Sequence, residues 1–122
     1  MPRRDKQISQ IVMQKIKLKS SHWIVDQKNR IVMGEGRLLI LDRIEETGSI
    51  NQAAKSLGMS YKTAWSKIKS TETHLKIKLV HSDRNRGSRL TKRGKKLLEN
   101  YRKLKAACIV ADDEIFQNIF FR

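Results

Sequence analysis

Apolar positions along the chain change their period repeatedly, and each change marks the edge of an element. From Lys15 onward Ile16 and Leu18 alternate with Lys15, Lys17 and Lys19, and Trp23, Ile24 and Val25 follow as a β-prone group. Asp26–Asn29 has turn chemistry and Arg30–Met33 returns as a second strand, which predicts a hairpin. The parity of the apolar positions shifts between Leu18 and Trp23, so a bulge is expected near Ser20 and Ser21. Before this hairpin the chain is polar and without period. Residues 1–14 read as a basic arm with a short helical turn near Ile8–Met13.

A helical period replaces the alternation over Arg37–Thr47, where Leu38, Leu41 and Ile44 share one face and Gly48 ends the run. Ser49-Ile50-Asn51-Gln52 has the form of a capping box, the serine hydroxyl meeting the amide three residues on and the Gln52 side chain returning to the Ser49 amide. The short helix that follows turns Ile50, Ala53, Ala54 and Leu57 inward and stops at Gly58, after which Ser60 caps another. Small alanines permit close helix crossing, so the pair reads as a helix-turn-helix, with an ordinary αα-corner as the alternative. In the second helix, Ser60 to about Leu75, the residues Ala64, Ile68, Thr71 and Leu75 form a narrow inward face. Lys62, Ser66, Lys69 and Thr73 line the opposite side, flanked by Thr63, Lys67 and Ser70, and Glu72 is the one acid among them. Near the helix start Tyr61, Lys62, Thr63 and Ser66 suit base edges, while Lys67 and Lys69 suit phosphates. Trp65 is expected to pack between the helix and a neighbouring strand; Tyr61 fits either packing or base contact.

Ile77, Leu79 and His81 then alternate as a strand, residues 83–89 form a loop rich in turn formers, and Arg89-Leu90 leads back toward the core. A hairpin in this position makes a wing, and Arg84, Arg86 and Arg89 at its tip suit a narrow minor groove or flanking phosphates. Thr91–Gly94 caps a last helix, in which Leu97, Tyr101, Leu104, Cys108, Ala111 and Ile115 advance in steps of four and three. This is a heptad-like seam, broad enough to propose residues 97–122 as a dimerisation helix. The apolar end, Ile115 to Phe121, requires a partner subunit or a fold-back to cover it. The expected architecture is mainly α with small β-hairpins (α+β): a winged helix-turn-helix over residues 15–96 and a long C-terminal helix.

Charge sharpens this picture. The 122 residues carry a formal net charge of +15, of which +10 falls within residues 59–96 and +6 within residues 1–33. A concentration on the second helix and wing is the footprint of a polyanion partner, since each phosphate neutralised releases counterions. No run approaches the length of a membrane span and the N-terminus lacks a signal-peptide core, so a cytoplasmic, nucleoid-associated location is expected. One cysteine and three scattered histidines give neither a disulfide nor metal-ligand spacing. Paired catalytic carboxylates, a phosphate-cradling loop and a nucleophile with its base are likewise missing from the sequence, which argues against an enzyme, a metal site or a cofactor.

Gly34-Glu35-Gly36-Arg37, Thr47-Gly48-Ser49-Ile50, Ala53-Ala54, Leu57-Gly58-Met59-Ser60-Tyr61-Lys62, Ala64-Trp65, Leu90-Thr91 and Gly94 together resemble the N-terminal DNA-binding domain of the ModE regulators. More broadly the chain is similar to the LysR-type winged helix-turn-helix, over about residues 18–105. The resemblance implies a homodimer held partly by the first and last helices, with Leu38 joining the terminal-helix residues in the interface. It also implies a recognition helix from Ser60 to Leu75 and a wing from Arg84 to Arg89, with Ser49, Ser60 and Lys92 added to the DNA-facing set. The family's C-terminal oxyanion-binding domains have no counterpart in these residues, so molybdate sensing does not carry over and no small-molecule effector is expected. The wing has only Gly87 where the family loop is often glycine-rich, and Lys76-Ile77-Lys78 replaces the usual turn. The leading expectation is a sequence-specific transcriptional regulator on a pseudo-palindromic double-stranded DNA site. The alternatives are a non-specific architectural DNA- or RNA-binding protein and a protein-interaction module on the same fold.

Overall fold

The computed structural model describes residues 9–13, 15–83 and 85–121. Its elements, in order, are α1 (Gln10–Met13), β1 (Ile24–Val25), β2 (Ile31–Met33), α2 (Glu35–Thr47), α3 (Ile50–Ser56), α4 (Tyr61–Leu75), β3 (Val80–Asp83), β4 (Gly87–Leu90) and α5 (Lys92–Phe120). Residues 21–102 form one compact unit. The described residues before Ser21, with those from Lys103 on, form a second.

Two antiparallel hairpins bracket α2, α3 and α4 of the first unit, β1 with β2 and β3 with β4. In the first hairpin the Asp26 carboxylate organises the turn: Oδ1 accepts the amides of Lys28 (2.8 Å) and Arg30 (2.9 Å), and Oδ2 accepts Arg30 Nε (2.8 Å). The Arg30 amide foremost, then its guanidinium and the Lys28 amide, holds this carboxyl well below the usual range against the opposing effect of burial. Asp26 Oδ2 also meets His74 Nε2 of α4 at 3.1 Å, which ties the turn to that helix. The register irregularity lies between Ile24 and Val25, later than the expected bulge at Ser20 and Ser21, because the strand pairing itself begins only at Ile24.

The core gathers Met33 from β2, Ile40, Leu41 and Ile44 from α2, Ile50, Ala53 and Ala54 from α3, Ala64 and Ile68 from α4, and Leu79, Val80, Leu90, Leu98 and Tyr101. Ala53, Ala54 and Ala64 are fully enclosed, so the α3–α4 corner is as close as the small side chains permit. Thr71 is buried as well, its hydroxyl donating to the Val32 carbonyl at 2.7 Å and fixing α4 to β2. Gly48 ends α2 in the left-handed region (φ 73), its amide donating to the Ile44 carbonyl at 2.8 Å. Ser49 Oγ caps α3 by accepting the Gln52 amide at 3.1 Å. The return half of the expected capping box is different: the Ser49 amide donates to Thr47 Oγ1 (3.2 Å), because the turn at Gly48 brings the threonine within reach first.

Thr91 starts α5 in the same way, its hydroxyl accepting the Gly94 amide (3.0 Å) and donating to the Lys78 carbonyl (2.6 Å). Gly94 then lies directly on the Leu79 carbonyl, where a Cβ would overlap backbone atoms that have no freedom to retreat. Tyr101 donates its hydroxyl to the His22 carbonyl, and Arg102 pairs with Asp42 of α2. The first three turns of α5 are thus spent closing the domain.

Gly94→Ala is expected to destabilise the domain by about 2 kcal/mol, the cost of overpacking against fixed backbone. Gly36→Ala, in α2 with nothing within 4 Å of its would-be Cβ, should gain roughly 0.5–1 kcal/mol from helix propensity. Urea denaturation of both variants beside the wild type measures the contrast.

Candidate nucleic-acid interface

Fifteen residues of α4 present two chemically different sides. Ser60 caps the helix, its Oγ accepting the Thr63 amide (3.0 Å) and donating to Thr63 Oγ1 (2.9 Å). The serine hydroxyl is therefore occupied by the helix start, while Thr63, which accepts that bond, keeps its own hydrogen to donate outward. Tyr61, Lys62, Thr63 and Ser66 are exposed, and Lys67 and Lys69 are half-buried. Lys67 contributes its carbonyl to Arg37 Nε (3.3 Å), which leaves the ammonium outside this contact.

The inward side differs from expectation at two positions. Leu75 is 37 % exposed, and Glu72 takes the buried place at 9 % exposure. One carboxylate oxygen of Glu72 accepts the amides of Leu79 (2.7 Å) and Val80 (3.3 Å), the residues through which the chain enters β3; the other meets Lys69 Nζ at 3.2 Å. Burial pushes this carboxyl up, but the Leu79 amide, Lys69 and the Val80 amide together outweigh it and hold the group below its ordinary value. Its hydrogen bond with Glu72, before all else, raises the Lys69 ammonium above its own. The pattern alone gave one usable sign of this role: a single acid, three residues after a lysine, on a helix otherwise basic.

Trp65 is the second correction. It is not buried but stands 43 % exposed, and Tyr61, one turn earlier, is 49 % exposed. The inward stripe is set by Ala64 and Ile68, and a residue one position on is rotated by about 100° away from it. Lys69 Nζ lies 5.3 Å from the centre of the indole ring, within cation–π range.

In the wing, β3 and β4 pair in register from Val80 with Leu90 to Asp83 with Gly87. The turn is closed by Asp83, whose Oδ1 accepts the Asn85 amide (2.9 Å) and whose carbonyl accepts that of Arg86 (3.2 Å). Arg86 and Arg89 are exposed; Arg84 lies outside the described residues. The turn end of the wing is anchored to the α2–α3 turn, the Ser88 amide donating to the Gly48 carbonyl at 2.9 Å. Gly87, with φ 79, presses on that carbonyl and has no room for a side chain. Ser49, half-buried, spends its hydroxyl on the α3 cap, and Lys92 is exposed at the start of α5.

The expected interface residues divide along the chain. Leu38 and Tyr101 are buried in the core and Leu97 packs partly against it, because the first turns of α5 and the inner face of α2 are needed to cover β3 and α3. Leu104, Ala111 and Ile115 are exposed and Cys108 is half-buried. At the end of α5 the Phe116 ring lies 5.3 Å from those of both Phe120 and Phe121, so part of the apolar tail covers itself. Among the described residues no group of side chains is arranged to hold a metal ion, and no helix is long and apolar enough to cross a membrane.

Residues 36–95 match the family model of the bacterial regulatory helix-turn-helix proteins of the lysR family. The chain is 35 % identical over 78 residues to the transcriptional regulator ModE of Yersinia pestis, which covers 61 % of this chain and 30 % of the relative. It is 30 % identical over 91 residues to the molybdenum transport protein ModE of Azotobacter vinelandii, covering 71 % and 34 %, respectively. To the molybdenum-pterin-binding protein MopB of Rhodobacter capsulatus it is 32 % identical over 87 residues, covering 68 % and 32 %. The chain thus spans about a third of the length of these curated relatives. The fold is similar to that of the CbnR DNA-binding domain in its crystal structure with DNA, with a TM-score of 0.59 at 24 % identity, over 69 % of this chain and 95 % of that one.

Glu72→Gln keeps an acceptor for the Leu79 amide but loses the charge, and should cost about 1–2 kcal/mol at neutral pH. Because the Glu72 carboxyl titrates lower folded than unfolded, its contribution is present above the unfolded value and fades as the pH falls through the folded one. Urea denaturation between pH 7 and pH 3 should therefore show a shallower acid loss in the variant than in the wild type.

Proposed function

We propose that this chain, whose residues 36–95 match the lysR-family helix-turn-helix model, is the DNA-binding domain of a transcriptional regulator, not part of an enzyme, and binds a specific, pseudo-palindromic DNA site as a homodimer. The observation that carries the reading is the division of α4: Ala64, Ile68, Thr71 and Glu72 hold it in the core, and Lys62, Thr63 and Ser66 stand free in solvent on the opposite side. Free donors at the start of a capped, rigid helix suit base edges in the major groove, which is about 12 Å wide and admits one helix. Lys67, Lys69 and Lys92 supply phosphate contacts, and Arg86 and Arg89 of the wing, with Arg84, supply contacts to the flanking minor groove or backbone.

Dimerisation is assigned to the later part of α5, since Leu38, Leu97 and Tyr101 are already committed to the chain's own core. Leu104, Cys108, Ala111 and Ile115 keep the heptad-like steps and leave a continuous apolar stripe with Ile119. Two such chains would set their recognition helices about 34 Å apart, one turn of duplex DNA. Transcriptional control in the cytoplasm is the setting in which such a dimer would act.

Selection from a random duplex pool at near-physiological salt should return inverted half-sites about one helical turn apart, and equal recovery of unrelated sequences would overturn specific readout. On the selected site, Lys62→Ala with Thr63→Ala should weaken binding by about 1–3 kcal/mol while the unfolding midpoint stays unchanged. Ile115→Arg should shift sedimentation toward the monomer and weaken full-site binding far more than half-site binding; an unaltered dimer would place the interface elsewhere.

A further inference from the structure

Of all the large side chains on α4, the two that reach furthest into solvent on one flank are aromatic. Tyr61, Trp65 and Lys69 follow at steps of four, so they form one stripe along the helix, adjoining the exposed face of Lys62 and Ser66. Glu72 lies seven residues beyond Trp65, hence on the same flank, and its carboxylate is fixed by the Leu79 and Val80 amides at the entry to β3. The Lys69 ammonium is held between two partners, 3.2 Å from Glu72 Oε1 and 5.3 Å from the Trp65 ring centre. The backbone of the wing's first strand thus positions Glu72, Glu72 positions Lys69, and Lys69 leans on the indole. An apolar ring in this position has no part in the core, since Trp65 is absent from the buried cluster and 43 % exposed.

We propose that Trp65 is a specificity-determining residue, its indole lying against the C5-methyl group of a thymine in the major groove while the pinned Lys69 ammonium meets a neighbouring phosphate. The inference rests on α4 being the recognition helix and adds to it a hydrophobic reading of A·T pairs that the hydroxyls and lysines of the outward face do not supply. The thymine methyl is the one apolar group that any base pair presents in the major groove, so an exposed ring beside polar readers selects for it. Lys69, already ordered by Glu72 and the ring, loses less side-chain freedom on meeting a phosphate than an unrestrained lysine would.

The test couples a change in protein to a change in DNA. On a site selected by the wild-type chain, each thymine is replaced singly by uracil, which removes only the methyl group. At one position per half-site the wild type should bind about fourfold more weakly, the worth of one buried methyl group. Trp65→Ala should bind the thymine duplex several-fold more weakly and lose the distinction between thymine and uracil at that same position, with Trp65→Phe intermediate. In a Trp23→Phe background the remaining indole fluorescence should change on adding the specific duplex. Strong specific binding by the wild type that responds to no uracil substitution, or a thymine preference that survives in Trp65→Ala, overturns the role of Trp65 and leaves the recognition helix in place. Failure of the wild type to prefer any duplex would instead overturn the underlying reading of α4.

Discussion

The domain depends on a carboxylate in a place where a hydrocarbon would be expected. Glu72 sits on the inner flank of α4 and accepts two backbone amides at the start of β3, so α4 and the wing are joined by charge-assisted hydrogen bonds rather than by packing alone. A leucine there would leave the Leu79 and Val80 amides without an acceptor in a site closed to water, a penalty of about 1–3 kcal/mol for each unsatisfied group. Hydrocarbon contact is also tolerant of small slides, whereas two amides converging on one oxygen fix position and direction together. The same carboxylate restrains Lys69, so a single buried group serves both the frame and the surface that the frame presents.

Much of this was legible in the sequence because it depends on local rules. Ser49, Ser60 and Thr91 each cap the helix that follows, Gly48 and Gly58 adopt the left-handed conformation that their positions demand, and Ala53, Ala54 and Ala64 permit the close corner. What was not legible depends on partners distant in the chain. The burial of Glu72 is determined by amides that a folded β3 brings to it, and nothing in the composition of α4 announces them. The frequency with which indoles pack favours a place for Trp65 between helix and strand, yet the helical period sets it a full step away from Ala64. The heptad-like seam of α5 ran through a change of purpose invisible to periodicity: Leu97 and Tyr101 close this chain's core, and the same spacing continues past Lys103 where that core has ended.

One charge of the N-terminal segment finds an explanation in the first hairpin. The Arg30 guanidinium is spent inside the turn on Asp26 Oδ2, and the same oxygen meets His74 of α4, so the pair lies where the hairpin is tied to that helix. The Ser70 carbonyl meets the other ring nitrogen of His74 at 2.9 Å.

Separation of the two sides of α4 bears on how such a protein can change. Ala64, Ile68, Thr71 and Glu72 carry the packing, and the exposed positions 62, 63 and 66 touch nothing in the core. Surface substitutions of this kind usually shift stability by less than about 0.5 kcal/mol, so change on this face is nearly uncoupled from whether the chain folds. The chain is a fixed mount with an exchangeable face. Three side chains on that face can be exchanged one at a time, and each intermediate along the way remains a folded protein.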